Sequence, residues 1–257
     1  MKFILLFILS VTILAGDFNF TDGTAETLKK RRMEVGVFSP LRYGLKKDLE
    51  IKTYPLMNFI MPNLAIKKRY LTKNKIVLSS EHYFSYPTLI MKLISKRGIA
   101  GLLPETQKDK IPQQIYTEHS LILTYTYSDY LIITPKISLS LPLIYKNKNF
   151  TQLDMFLLYN RTAPFGGDLV YSLSFDIDGK IYKKLYYCLD FDLYDDLPFK
   201  LYSDAKEINT VYEHKFYLIW KQNENIAFLL GYKLVYGNYP YGRILNVLPL
   251  VDIIFSL

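Results

Sequence analysis

Between residues 169 and 193 the chain changes polarity at every second position, and this period restricts the fold more than any other feature of the sequence. Leu169, Tyr171, Leu173, Phe175 and Ile177 hold the odd positions, against Val170, Ser172, Ser174 and Asp176 at the even ones. Successive side chains of an extended strand point to opposite faces, so such a run makes a strand with one oily and one wetter face. Asp178-Gly179 then reads as a two-residue hairpin turn, since Gly accepts a positive φ without steric cost. Beyond it Leu185, Tyr187, Leu189, Phe191 and Leu193 share one face, and Lys184, Cys188, Asp190 and Asp192 the other.

The pattern recurs along the chain. Leu121, Leu123, Tyr125 and Tyr127 alternate with Thr124, Thr126 and Ser128, and after Ser128-Asp129 the run returns through Ile137, Leu139, Leu141 and Leu143. Tyr212, Phe216, Leu218 and Trp220 alternate with Glu213 and Lys215, and Ile226 to Tyr236 follow after a polar break. Further runs cover 33–43, 48–54, 63–71, 75–86, 149–159 and 244–257. The expectation is an all-β chain, a transmembrane antiparallel β-barrel of about 12 strands, with roughly 10–14 allowed, because an even count suits a single-chain barrel with both termini on one side. Many runs reach the length of about 10 residues that a tilted strand needs to cross a bilayer, against about 5 or 6 in globular sheets. Tyr43, Tyr54, Tyr70, Tyr86, Tyr127, Tyr159, Trp220 and Tyr236 fall toward run ends, where interfacial girdles sit. Closure removes the sheet edge, whose bare N–H and C=O groups lipid could not satisfy.

The wetter face would point into the lumen and bring with it Asp154, Asp168, Asp176, Lys184, Asp190, Asp192, Glu213, Lys215, Lys233 and Asp252. These charges either pair across a narrow interior, the simpler expectation, or surround a watery path. One stretch, 87–112, leaves the alternation. Leu89, Met91, Lys92, Leu93 and Ile94 suggest a short amphipathic helix before Gly98. Counted in order, this helical or plug-like segment falls on the periplasmic side or folds inward, with a surface helix as the alternative.

Residues 1–16 have a positive Lys2, an apolar stretch and a small-residue exit at Ala15-Gly16, the signature of a secretory signal. Spanning a bilayer as a helix takes about 20 apolar residues, so an uncleaved anchor is the lesser reading. Asp17 stands where a lipoprotein signal needs Cys. The remaining 17–257 form one domain and hold no apolar run long enough for a helical span. The single Cys188 excludes an internal disulfide and reads as a packed residue. A net charge of +8 raises the question of nucleic acid, yet apart from Lys29, Lys30, Arg31 and Arg32 the cations are scattered singly. No nucleic-acid partner is expected, and scattered cations better suit an anionic lipid surface or solute.

The chain holds no phosphate loop, paired-cysteine motif or Gly-x-Ser-x-Gly elbow. Gly166-Gly167 and Gly237 read as turn residues. His82, His119 and His214 each follow a Glu, but neighbours on a strand face opposite ways, so no Glu-His pair shares a site. Ser80 lies on the same strand face as His82, and Ser120 is next to His119, the only starting points for a serine-based lipid hydrolase at the barrel rim. No close-spaced metal ligands occur, and neither a cofactor nor a metal is expected.

The stretches GVFSPLRYGL (36–45), MPNLAIK (61–67), GIAGLLPETQ (98–107), TPKISLSLPL (134–143), GYKLVYGNYPYG (231–242) and LPLVDI (248–253) together resemble a family of exported bacterial outer-membrane proteins of unassigned function. The resemblance implies a membrane barrel and brings no catalytic residue or substrate. The end of the chain is similar to outer-membrane barrels in alternating Val251, Ile253, Phe255 and Leu257 with Asp252 and Ser256, although Leu rather than Phe is last. The expected role is a narrow pore or structural barrel in the bacterial outer membrane, with outer-membrane lipids and, through the C-terminal strand, the barrel-assembly machinery as partners. Two alternatives stand beside it. One is an outer-membrane lipid-modifying hydrolase. The other is a soluble periplasmic barrel binding an apolar ligand, which needs the two faces reversed.

Overall fold

The computed structural model describes residues 21–97, 108–109, 111–128, 131–145, 169–196, 210–239 and 242–257. Among them twelve strands close a barrel in which every strand pairs antiparallel with its sequence neighbours and the last with the first. In order these are β1 (Met33–Gly36), β2 (Leu41–Lys46), β3 (Leu49–Thr53), β4 (Asn63–Lys73), β5 (Ile76–Ser85), β6 (Gln113–Ser128), β7 (Leu131–Tyr145), β8 (Val170–Tyr182), β9 (Leu185–Asp196), β10 (Val211–Lys221), β11 (Ile226–Tyr239) and β12 (Gly242–Ser256). Helices α1 (Pro55–Asn58) and α2 (Thr88–Ile94) lie between strands. No helix among the described residues is long and apolar enough to cross a membrane.

The alternation sorts the two faces as the residue types require. In β8, Ser172, Ser174 and Asp176 are buried inside while Leu173 and Phe175 are exposed outside. Leu121, Leu123, Ile137, Leu230, Val247, Val251 and Phe255 continue the apolar outer surface around the barrel. Tyr70, Tyr127 and Trp220 are exposed near one end and Tyr212 and Tyr236 near the other. Tyr54, expected in that girdle, instead lines the interior.

Connections alternate in length. At the end where Met33 and Leu257 exchange backbone hydrogen bonds, the links are the short 47–48, 74–75, 129–130, 183–184 and 222–225. At the opposite end they include 54–62, 86–112, 146–169 and 197–210. Thus the described part of 87–112, with α2, lies opposite the termini and not on their side. The count in order slips because residues 33–43 hold parts of two strands, with the loop 37–40 between them. The expected strand 149–159 falls outside the described residues, and β7 pairs directly with β8.

The Asp178-Gly179 turn is also corrected. The β8–β9 ladder runs through Asp178↔Cys188 and Gly179↔Tyr187 as far as Tyr182↔Leu185. The chain reverses at Lys183, which takes the positive φ of 40°. Gly179 serves a different need, since a Cβ there would come within 2.4 Å of the Tyr187 ring. Gly237, expected in a turn, lies inside β11, and Gly166-Gly167 lie outside the described residues.

The sequence reading missed the element that fills the lumen. Residues 21–32 run inside the barrel along β2–β7. Ala25 packs on Val77 and Ile122, and its N–H donates to Thr124 Oγ1 at 2.7 Å. The Leu28 N–H donates to Glu50 Oε2 at 2.8 Å, and Lys67 Nζ donates to the Thr21 carbonyl at 3.2 Å. Glu26 pairs with Arg69. Backbone bonds tie Arg31 and Arg32 to Gly44, whose missing side chain admits them: a Cβ there would sit 2.1 Å from the Lys29 carbonyl oxygen. At the long-loop end Met57, Met61 and Met91 from the helical connections cover Ala65, Tyr83 and Tyr116 on the inner wall.

Candidate functional site

Between these fillings the middle of the barrel holds a cavity of about 390 Å³. Its wall carries the ammonium groups of Lys52, Lys136 and Lys215 and the carboxyls of Asp22, Glu81, Glu118, Asp176, Asp178, Asp190, Asp192, Glu213 and Asp252. A chain with a net charge of +8 therefore has a chamber in which nine acidic groups face three basic ones. The excess of Lys and Arg lies elsewhere on the protein.

On the β9–β11 side, Lys215 Nζ lies 2.8 Å from Asp190 Oδ2 and 3.1 Å from Asp192 Oδ2. The buried Lys233 and Glu213 form a pair at 2.7 Å. Asp176 stands directly opposite Asp190 across the β8–β9 ladder, which brings two carboxyls side by side on the inner wall. Asp176 Oδ1 and Glu213 Oε1 are buried and have no hydrogen-bond partner among the described residues. Each is an acceptor open to a cation or a water.

On the β1–β5 side the charges form a closed network. The Arg42 guanidinium grips Glu50 through Nε at 2.8 Å and Nη2 at 2.9 Å, a two-point contact suited to carboxylate geometry. It also donates to Glu34 Oε2 at 3.2 Å and to Thr21 Oγ1 at 2.7 Å. Lys52 pairs with Glu81 at 2.7 Å. Asp22, carried by the inner N-terminal segment, lies 3.8 Å from Arg42 and 3.7 Å from Lys52. Enclosure pushes its carboxyl up, but Lys52, Arg42, Lys67 and Lys136 outweigh this and hold it well below the usual carboxylate range.

Of the charged residues expected inside, Asp176, Asp190, Asp192, Glu213, Lys215 and Asp252 line the cavity, and Lys233 is buried against Glu213. Asp252 anchors the β1–β2 loop, accepting from the N–H groups of Val37, Phe38 and Ser39 at 2.6–3.2 Å. Lys184 is not in the lumen. It occupies the β8–β9 turn, exposed, and donates to the Gln222 carbonyl at 2.7 Å. Asp154 and Asp168 lie outside the described residues. The sequence reading overlooked Asp22, Arg42, Glu50, Lys52, Lys67, Glu81 and Lys136, although the period-two rule places Glu50 with Lys52 and Lys67 with Arg69 on one face. Among the described residues no group of three His, Cys, Asp or Glu side chains is placed to hold a metal ion.

The histidines lie on the outer wall, as their parity against the inward Glu81, Glu118 and Glu213 requires. His214 stacks on Phe191 at 4.4 Å and its Nδ1 lies 3.0 Å from the Asp190 carbonyl. His82 and His119 meet across β5 and β6, with their Nδ1 atoms 2.9 Å apart.

The barrel is similar to that of the NanC porin, at 12% identity over 88% of this chain and 98% of that one, with a TM-score of 0.53. It is also similar to OprD of Pseudomonas aeruginosa, at 15% identity over 91% of this chain and 63% of that one, with a TM-score of 0.48. The NanC likeness is one of fold, a closed antiparallel barrel of outer-membrane type. No family model matches the chain, and no curated protein matches it in sequence.

Proposed function

We propose that this chain is a narrow channel of the bacterial outer membrane whose acidic chamber favours small cations. The outer wall is apolar over most of the barrel, and closure leaves no bare strand edge, as lipid demands. Short turns at the end of the termini and long connections at the other end match the periplasmic and extracellular ends of such barrels. Residues 1–16 fit an export signal. The stretches that resemble exported outer-membrane proteins fit the same reading, and so does the porin fold of NanC. Its partners are the lipids of that membrane and the assembly machinery, which would receive β12. That strand closes on β1 through only the register pairs Glu34↔Ser256, Val35↔Phe255 and Gly36↔Ile254.

The observation that carries the channel reading is the ratio of nine carboxyls to three ammonium groups around the cavity. Rings of carboxylates select cations, and two unpartnered buried acceptors add to the bias. The inner segment 21–32 narrows the path, so inorganic ions suit it better than large solutes. The test is the reversal potential of the purified protein in a planar bilayer under a KCl gradient. A potential of the cation-selective sign that falls in Asp190→Asn/Asp192→Asn is expected. Anion preference overturns the selectivity, and no conductance step at any voltage leaves a filled, structural barrel.

A further inference from the structure

The outer wall of β4–β6 holds a connected row of polar side chains that a channel does not use. Tyr70 Oη lies 2.8 Å from Ser80 Oγ, Ser80 Oγ 3.0 Å from His82 Nε2, and His82 Nδ1 2.9 Å from His119 Nδ1. Register decides which way they face. Lys67 pairs with the cavity-lining Glu81, so Ser80 and His82 on either side of Glu81 face outward, with His119 opposite His82. Their surroundings are the exposed Ile66, Phe84, Leu121 and Leu123. Polar groups on a lipid-facing wall are costly and are rarely kept without a use.

The chain of contacts has one proton arrangement that activates the serine. When His82 Nδ1–H donates to His119 Nδ1, the lone pair of His82 Nε2 is left to accept from Ser80 Oγ–H, and the Tyr70 phenol donates to Ser80 Oγ. This is the order of nucleophile, base and orienting group that serine acyl-transfer sites share on unrelated folds. The row also stands beside the short wall. Lys68 pairs in register with both Ser80 and Leu49, the first residue of β3, next to the exposed Lys46 at the end of β2 and Lys47 and Asp48 of the turn. The β2–β3 wall ends there, which gives lipid headgroups a short approach to the row from that flank, while β4–β6 run on past it through the exposed Leu71, Ile76, Tyr125 and Tyr127.

We propose that Ser80, His82 and His119 form a hydrolase site for acyl esters of membrane glycerophospholipids, a function separate from the channel that rests on the same membrane reading. Ser80 Oγ attacks the ester carbonyl carbon while its proton passes to His82 Nε2. The tetrahedral adduct collapses with cleavage of the bond to the alcohol oxygen, which leaves with that proton as the lysolipid. Water then gives a proton to His82 and its hydroxide to the acyl carbon. The fatty acid departs and Ser80 recovers its proton. His119 is a positioning residue that holds the His82 ring and its tautomer. Lys68, exposed on the same face, offers a cation to the lipid phosphate. Ser80 is only 7% exposed beneath Tyr70, itself 57% exposed, so the tyrosine ring must swing aside for substrate to enter.

The test uses the full chain folded into phosphatidylethanolamine vesicles, with heat-dependent gel mobility as the check of folding, and reads fatty-acid release and labelling by a fluorophosphonate. Release by the wild type and labelling at Ser80 are expected. Both should fall by on the order of a hundred-fold or more in Ser80→Ala and His82→Ala. His119→Ala should lose release and His119→Asn regain much of it, because Asn Oδ1 can accept from His82 Nδ1–H, a rescue that mere packing would not give. His214→Ala should be unchanged. A folded wild type that neither releases fatty acid nor labels at Ser80 overturns the hydrolase and leaves the channel standing. A protein without heat-shifted mobility overturns the membrane reading and this site together.

Discussion

The two sides of the barrel are built differently. From β1 to β3 the strands have 4, 6 and 5 residues, whereas β6 to β12 have 11–16. At about 3.3 Å per residue, the short strands reach less than the roughly 25 Å of an apolar band, while the long ones exceed it. What the short side lacks in ladder it makes up inside, where Arg42, Glu50 and Glu34 knit β1–β3 together and fasten residues 21–32 to them. The long side holds its shape through register pairs and leaves its carboxyls in excess toward the cavity. Most of the bonded charge thus lies on the short wall and most of the excess carboxyl on the long one, although Asp22 and Glu81 of the short side also face the cavity.

The largest effect should come from breaking the short wall. Glu50 is fully buried and accepts from Arg42 twice and from the Leu28 N–H. Glu50→Ala removes the two-point partner of the buried Arg42 guanidinium, leaving it Glu34 at 3.2 Å and Asp22 at 3.8 Å, and should cost about 3 kcal/mol. Thermal unfolding in detergent should show a large drop, with the N-terminal segment open to protease.

A smaller loss is expected where only close approach is disturbed. Gly44→Ala drives a Cβ against the Lys29 carbonyl and should cost about 1–3 kcal/mol. Proteolysis within 21–32 should accelerate while the long strands keep their hydrogen-exchange protection. On the long wall, Glu213→Leu combined with Lys233→Met should unfold closer to wild type than either single change, since replacing both members of a buried pair removes the stranded charge. A double variant as damaged as the singles would show that this wall too depends on its charges.

The smallest effect concerns Asp22. Its folded carboxyl is held below the unfolded value, so its contribution is present above the unfolded pKa and is lost only as pH falls through the lower folded one. Docking of the inner segment, read as protease resistance, should therefore survive at pH 4 and weaken only in stronger acid. Asp22→Asn should weaken it at neutral pH.

The long wall was legible in the sequence because period two is a local signal, and strands of 11–16 residues repeat it often enough to fix both faces. The short wall was not. Met33, Val35, Val37 and Leu41, Tyr43 read as one run, although Ser39-Pro40 lies in the loop between two strands. The Arg42 network is invisible for another reason: its partners are eight residues away on neighbouring strands, and register, not spacing, brings them together. Ser80 and His82 share a face by spacing alone, but His119 joins them across 37 residues of sequence, and only the β5–β6 register shows it.

Period two sorts the side chains into two faces, and a membrane channel requires the apolar one to meet lipid. Trp220 reports on that choice directly, being the only tryptophan of the chain, 52% exposed on the outer wall and stacked on Phe228 at 5.6 Å. Its fluorescence should be measured in vesicles whose acyl chains are brominated near the headgroups, with iodide added to the water as a second quencher. Strong quenching by the brominated lipid and weak quenching by iodide is the expected result. Quenching by iodide alone, with emission blind to the lipid, would contradict the membrane barrel and turn its oily face inward.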